Sequence, residues 1–211
     1  MKVFALNFRL VPEALFPAAV EDAVATYMAL TGISLKEGSN CMFEKNPTRT
    51  APRNIYFMGD SSSAALTMQL LLALKSLNWE MPGGIVMLSP FIDHELKGES
   101  LIKNGHLDML NVDYGGLDWL LRIYANGLPL SHPSITCFNA DLTDFPPTLI
   151  QTGDCDIGES DAETVYHELR KVGTTVFLES FSGMIHSFQR NDWLFILKYS
   201  LLTTFNSQQS H

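Results

Sequence analysis

The sequence predicts an α/β domain, a three-layer α/β/α sandwich with a mostly parallel sheet, and three observations carry that expectation. Short apolar runs alternate with longer segments of helical spacing, a pattern that implies parallel strands joined by crossover helices. Length and composition suit one core, since 211 residues with 46% hydrophobic and 18% charged side chains fill a single domain over 1–211 and fall short of two. Finally, the ends of several predicted strands hold serine, aspartate and histidine, and the carboxyl ends of parallel strands are where loops converge on a crevice.

The elements follow in chain order. Val3 to Leu10 reads as a strand, and Phe16 to Leu30 reads as an amphipathic helix, with Ala19, Val20, Ala23, Val24, Tyr27 and Leu30 at helical spacing and Gly32 as its stop. Lys36 to Arg53 holds Gly38, Pro47 and Pro52 and reads as a loop. Ile55 to Met58 is the next strand. Ala64 to Leu77 follows as a helix apolar nearly all round, which implies burial against a sheet and neighbouring helices. Gly84 to Leu88 forms a strand ended by Ser89-Pro90. The stretch from Ile92 to Asp144 is poorly periodic, with one helix around Leu117 to Tyr124, and is expected to line a pocket. A strand around Leu149, a helix from Ser160 to Lys171 closed by Gly173, a strand around Val176 and a terminal helix from Trp193 to Phe205 complete the series.

Charge excludes some partners. A net charge of -9 and a pI near 5.0, with no lysine and arginine cluster, disfavour nucleic acid and anionic membrane surfaces. Cysteines at 41, 137 and 155 are odd in number and widely spaced, which suggests reduced thiols in a cytoplasmic setting and offers no metal spacing. Asn7, Arg9 and Glu13 break up the apolar start, so it reads as a strand and not as a signal peptide. The apolar run from Leu194 to Phe205 carries Lys198 and is shorter than the roughly 20 residues a membrane span needs. A soluble protein without cofactor or metal is expected.

The chemistry centres on Ser61. It sits in Gly59-Asp60-Ser61-Ser62-Ser63, where an apolar strand turns into an apolar helix. A nucleophile presented on such a turn needs small second neighbours, here Gly59 and Ser63. A serine hydroxyl also needs a base, and His186 lies just past the Val176 strand; its titration range near neutrality suits it to take the proton and return it. A buried carboxylate then fixes the imidazole tautomer. Asp156 is the favoured candidate, with Asp154 and Asp161 as alternatives that could equally cap the following helix. The other histidines fit less well: His167 lies within a helix, His132 precedes Pro133, His94 and His106 fall in loops, and His211 is terminal.

Several blocks in register resemble one family. Asn7-Phe8-Arg9-Leu10-Val11-Pro12-Glu13 with Phe16-Pro17-Ala18-Ala19 and Glu21-Asp22, Gly59-Asp60-Ser61, Leu88-Ser89-Pro90 with Asp93, Pro146-Pro147-Thr148 with Gly153, and Gly183-Met184-Ile185-His186-Ser187-Phe188 are similar to blocks of the hormone-sensitive-lipase group of α/β-hydrolases. The resemblance spans almost the whole chain. It implies an α/β-hydrolase-type sheet and a carboxylic ester hydrolase acting through an acyl-enzyme on small or lipophilic esters, and it supports Asp156 over Asp154 as the acid. It also marks departures. Ser63 and Ala64 stand where the group has glycines, and the group's H-G-G-G loop precedes the block with which this chain begins, so the expectation is an N-terminally truncated version of the fold.

Two expectations follow from that departure. The oxyanion site would retain only the Ser62 backbone N–H, and loss of one such donor lowers turnover by about 10²–10³-fold. The Val3 strand would either pair directly with the Ile55 strand or remain at an exposed edge that invites a homodimer or aggregation. A catalytically impaired ligand-binding protein, or an inactive truncated product, is the alternative to an active esterase.

Overall fold

The computed structural model describes residues 2–33, 49–110 and 114–191. Among these, a four-stranded parallel sheet forms in the order β1 (Tyr56–Asp60), β2 (Gly84–Leu88), β3 (Thr148–Gly153), β4 (Val176–Phe181). The sequential order and parallel direction require each connection to cross over the sheet. α2 (Ser62–Ser76) and α5 (Glu159–Lys171) supply two of these crossovers. They share one buried cluster on the sheet face bearing Ile85, Met87 and Ile150, where Met68 and Leu71 of α2 meet Val165 and Leu169 of α5.

α1 (Ala18–Thr31) packs outside α2 through Ala23 and Tyr27, which join Leu70 and Leu74 in a second cluster. Gly32 ends α1 at φ 70°, a left-handed conformation that costs glycine nothing, and its amide bonds back to the Met28 carbonyl. The Tyr27 hydroxyl donates to the Glu80 carbonyl at 2.6 Å, which pins α1 to the loop before β2.

The opposite sheet face is barer among the described residues. The strand register puts Tyr56, Met58 and Phe177 there, with exposures of 68%, 68% and 63%. The helix expected from Trp193 to Phe205 lies outside the described residues, as do Cys41 and most of the loop expected from Lys36.

Two expectations are corrected. Val3 to Leu10 is not a strand: it runs in irregular conformation with Val3 and Phe4 exposed, and it pairs neither with β1 nor with any other described strand. The physical reason is that strand conformation needs a ladder partner. What holds this segment is side-chain chemistry instead: the Arg9 guanidinium and amide both reach Asp22, the guanidinium also reaches Glu21, and Leu6 packs on the α1/α2 cluster. The irregular stretch after Ile92 holds a second short helix besides α4 (Tyr114–Tyr124), namely α3 (Glu99–Lys103), too short to show a period in sequence.

Candidate active site

Each predicted side chain sits at a strand's carboxyl end. Ser61 joins β1 directly to α2 with φ 57° and ψ -124°, a conformation unfavourable for a residue with a Cβ. The turn is clamped from both sides: the Ser61 amide donates to the Leu88 carbonyl at 2.9 Å and its carbonyl accepts from the Phe91 amide at 3.2 Å. Gly59 is required because a Cβ there would collide with the Ser63 carbonyl oxygen. Ser63, the other second neighbour, lies within the first turn of α2.

His186 is delivered by the turn after β4. The Cys155 amide donates to the Met184 carbonyl at 3.0 Å, which joins this turn to the one after β3. Gly153 permits that approach, since a Cβ at this position would strike the Met184 carbonyl. Ser187 next to the imidazole is tied down twice, its amide donating to Ser89 Oγ at 2.9 Å and its hydroxyl to Asp60 Oδ1 at 2.8 Å. Asp60 therefore links the histidine turn to the serine turn.

The three expected side chains meet in one chain of hydrogen bonds. Ser61 Oγ lies 2.8 Å from His186 Nε2, and His186 Nδ1 lies 2.8 Å from Asp156 Oδ1. A carboxylate can only accept, so Nδ1 carries the proton and Nε2 presents a lone pair to the serine hydroxyl. Asp156 is fully buried, and its Oδ1 also accepts from the Gly158 amide at 2.7 Å. Burial alone would pull the imidazole pKa down. The hydrogen bond and charge of Asp156, with the charges of Asp108 and Asp60, outweigh it and leave His186 above its ordinary 6.5.

The alternatives lie elsewhere. Asp154 Oδ1 accepts the Gly183 amide at 2.6 Å and braces the turn. Asp161 Oδ2 accepts the amides of Ile92 and Asp93 at 2.6 and 2.8 Å, tying α5 to the loop after β2, and burial pushes its carboxyl up to about 7. Of the three carboxylates, Asp156 is the one hydrogen-bonded to His186. His94 is buried against the Ile135 carbonyl, His132 accepts the Ser134 amide, His167 packs on Tyr166 and His106 is exposed. Ser62, the candidate oxyanion donor, is the first residue of α2, where amides have no acceptor within the helix.

Asp108 is the residue that sequence reasoning missed. It is buried, its Oδ2 accepts the His186 amide at 3.0 Å and the Ile157 amide at 3.1 Å, and its Oδ1 accepts the Leu110 amide. One carboxylate thus fixes the backbone on both sides of the histidine–acid pair. Asp108, Asp156 and His186 bring ligand-type atoms within 4.8 Å of one another, a grouping that these hydrogen bonds account for. Asp108→Ala leaves buried amides without acceptors, at about 1–3 kcal/mol each. We expect a loss of about 2–4 kcal/mol in urea unfolding, with Asp108→Asn losing less because its one carbonyl oxygen still accepts.

With this geometry in view, the family follows from comparison. The chain matches the α/β-hydrolase-fold family over residues 1–190 and belongs to it. An acetyl-hydrolase of Streptomyces hygroscopicus is 33% identical over 184 residues, covering 87% of this chain and 56% of that protein. An esterase of Acinetobacter venetianus is 28% identical over 195 residues, covering 92% and 59%. Among solved structures, a hormone-sensitive lipase from a metagenome library superposes with a TM-score of 0.77 at 32% identity, covering 88% of this chain and 58% of that one. The resemblance to the hormone-sensitive-lipase group therefore holds, and the chain spans little more than half the length of the curated relatives it matches. No described helix is long and apolar enough to cross a membrane.

Proposed function

We propose that the chain hydrolyses carboxylic esters, small or lipophilic, through a Ser61–His186–Asp156 triad and an acyl-enzyme. The observation that carries this reading is the pair of 2.8 Å contacts that line up hydroxyl, imidazole and buried carboxylate. The relatives named acetyl-hydrolase and esterase support the same class of reaction.

Ser61 Oγ attacks the ester carbonyl carbon while its proton passes to His186 Nε2. The imidazolium is stabilised by Asp156, and the Ser62 amide at the start of α2 faces the developing oxyanion. The carbon–oxygen bond to the alcohol breaks, and the alcohol leaves with the proton from Nε2. Water then repeats the sequence on the acyl-serine, giving its proton to His186, and the carboxylic acid departs as Oγ recovers a proton. Residues 1–211 act in this scheme as part of one catalytic domain.

The test is hydrolysis of p-nitrophenyl acetate and butyrate by the chain and by Ser61→Ala. Turnover that vanishes in the variant supports the reading; turnover that survives removes it. The pH dependence adds a second check. Only the neutral imidazole can accept the serine proton, so the acid limb of kcat/KM should have its midpoint above 6.5, the ordinary histidine value from which His186 is raised. A midpoint well below that value would contradict the Asp156 contact. The same shift has a stability sign: folding favours protonated His186, so its contribution is present below pH 6.5 and is lost as pH rises through the folded-state pKa.

A further inference from the structure

A cavity of about 170 Å³ lies between the irregular N-terminal segment and the first turns of α2. Its wall is mainly apolar, with Val11, Ala65, Leu66 and Leu121 among the lining residues, and Ser62 lines it one position after Ser61. The polar groups at its wall are largely committed. The Tyr124 hydroxyl donates to Gln69 Oε1 at 2.7 Å, and the Arg9 guanidinium is held by Asp22 and Glu21.

His94 is different. It is among the residues lining the cavity although it is only 3% exposed. Nδ1 lies 2.7 Å from the Ile135 carbonyl oxygen, and a carbonyl only accepts, so Nδ1 carries the ring proton. Burial lowers the His94 pKa against the smaller opposing effects of that bond and of Asp93, which keeps the ring neutral. Nε2 is then a bare acceptor, and no described residue donates to it. The flanking rings of Phe91 and Tyr124, with centroids 6.0 and 5.9 Å away, hold the imidazole in place.

We propose that this cavity is a binding site for a small apolar molecule carrying one hydroxyl group, of about the size of phenol, whose hydroxyl donates to His94 Nε2. The volume fits, since an apolar cavity of roughly 150 Å³ admits benzene. Apolar burial supplies the attraction, and the single acceptor sets the preference for a donor-bearing ligand. This site does not depend on ester hydrolysis.

The probes are phenol and toluene, which differ by the donor. Titration calorimetry on the full chain should give phenol an affinity about two- to tenfold higher than toluene, the value of one neutral hydrogen bond. In His94→Phe that preference should disappear. Nitrogen-15 spectra of the unmodified protein give a readout that needs no variant: the His94 Nε2 resonance should move on adding phenol and stay in place with toluene. Equal affinity for the two probes, an unmoved Nε2 resonance at saturating phenol, or no binding of either at millimolar concentration would overturn the assignment.

Discussion

Ser61→Ala is expected to lower kcat for p-nitrophenyl acetate by about 10⁴-fold or more while leaving the protein folded. A serine triad acts as a unit, so under the proposed mechanism removing Ser61 forfeits the contribution of His186 and Asp156 as well. The stability arm of this experiment separates chemistry from structure. Ser61 is held at φ 57°, and a non-glycine residue in such a region carries about 1–3 kcal/mol of strain. Ser61→Gly should therefore be as inactive as Ser61→Ala and more stable by about 1 kcal/mol in urea unfolding, a gain reduced by glycine's greater chain entropy in the unfolded state. Strain that is retained at one residue, and whose relief removes activity, is what a site held for function looks like. A Ser61→Gly variant that is both inactive and markedly less stable would mean that the residue serves the fold.

Asp156→Asn is the second large effect, with an expected fall of about 10⁴-fold in kcat. The asparagine is nearly isosteric, but its amide can turn NH₂ towards His186 Nδ1 and drive the ring to the tautomer whose Nε2 carries the proton, which cannot accept from Ser61. Charge is lost with it. The Asp156 hydrogen bond and charge lead the effects, with the charges of Asp108 and Asp60, that hold the His186 pKa above its ordinary value against burial, so residual activity should show its acid limb at lower pH than the parent. Turning NH₂ towards the imidazole also takes the acceptor from the Gly158 amide, because the one Oδ1 accepts from both Gly158 N–H and His186 Nδ1. Asp154→Asn is the control: its carboxylate braces Gly183 and does not touch the imidazole, so it should change kcat by less than tenfold. A reversal of the two effects would transfer the acid's role to Asp154.

Much of the site was legible in the sequence because each of its parts is announced locally. A serine between an apolar strand and an apolar helix, then an aspartate and a histidine just past later strands, occur in an order that a parallel sheet converts into proximity. The structure brings Ser61, His186 and Asp156 into line from positions 125 and 30 residues apart. The strands around Ile55, Val86, Leu149 and Val176 and the helices after Phe16, Ser61 and Ser160 were legible for the same reason, since each carries its own apolar run or helical spacing.

The rest depended on partners that a single sequence does not display. Val3 to Leu10 has a strand's composition, but a strand is a relation between two segments, and the described fold gives this one no ladder. Its anchoring instead runs through Arg9 and Asp22 on α1. Asp108 left no local signal because it works on backbone amides 49 and 78 residues away. His94 read as an ordinary loop histidine for the same reason: its tautomer is set by a carbonyl 41 residues on.

The central claim is that Ser61 is a nucleophile activated by His186. The most direct test is covalent labelling with paraoxon, whose phosphorus is attacked by an activated serine hydroxyl with loss of p-nitrophenolate. Intact mass spectrometry should show one diethyl phosphoryl group per chain, peptide mapping should place it on Ser61, and His186→Ala should abolish the labelling. A chain that stays unmodified under conditions that label an ordinary serine esterase, or that carries the group on another residue, would contradict the account.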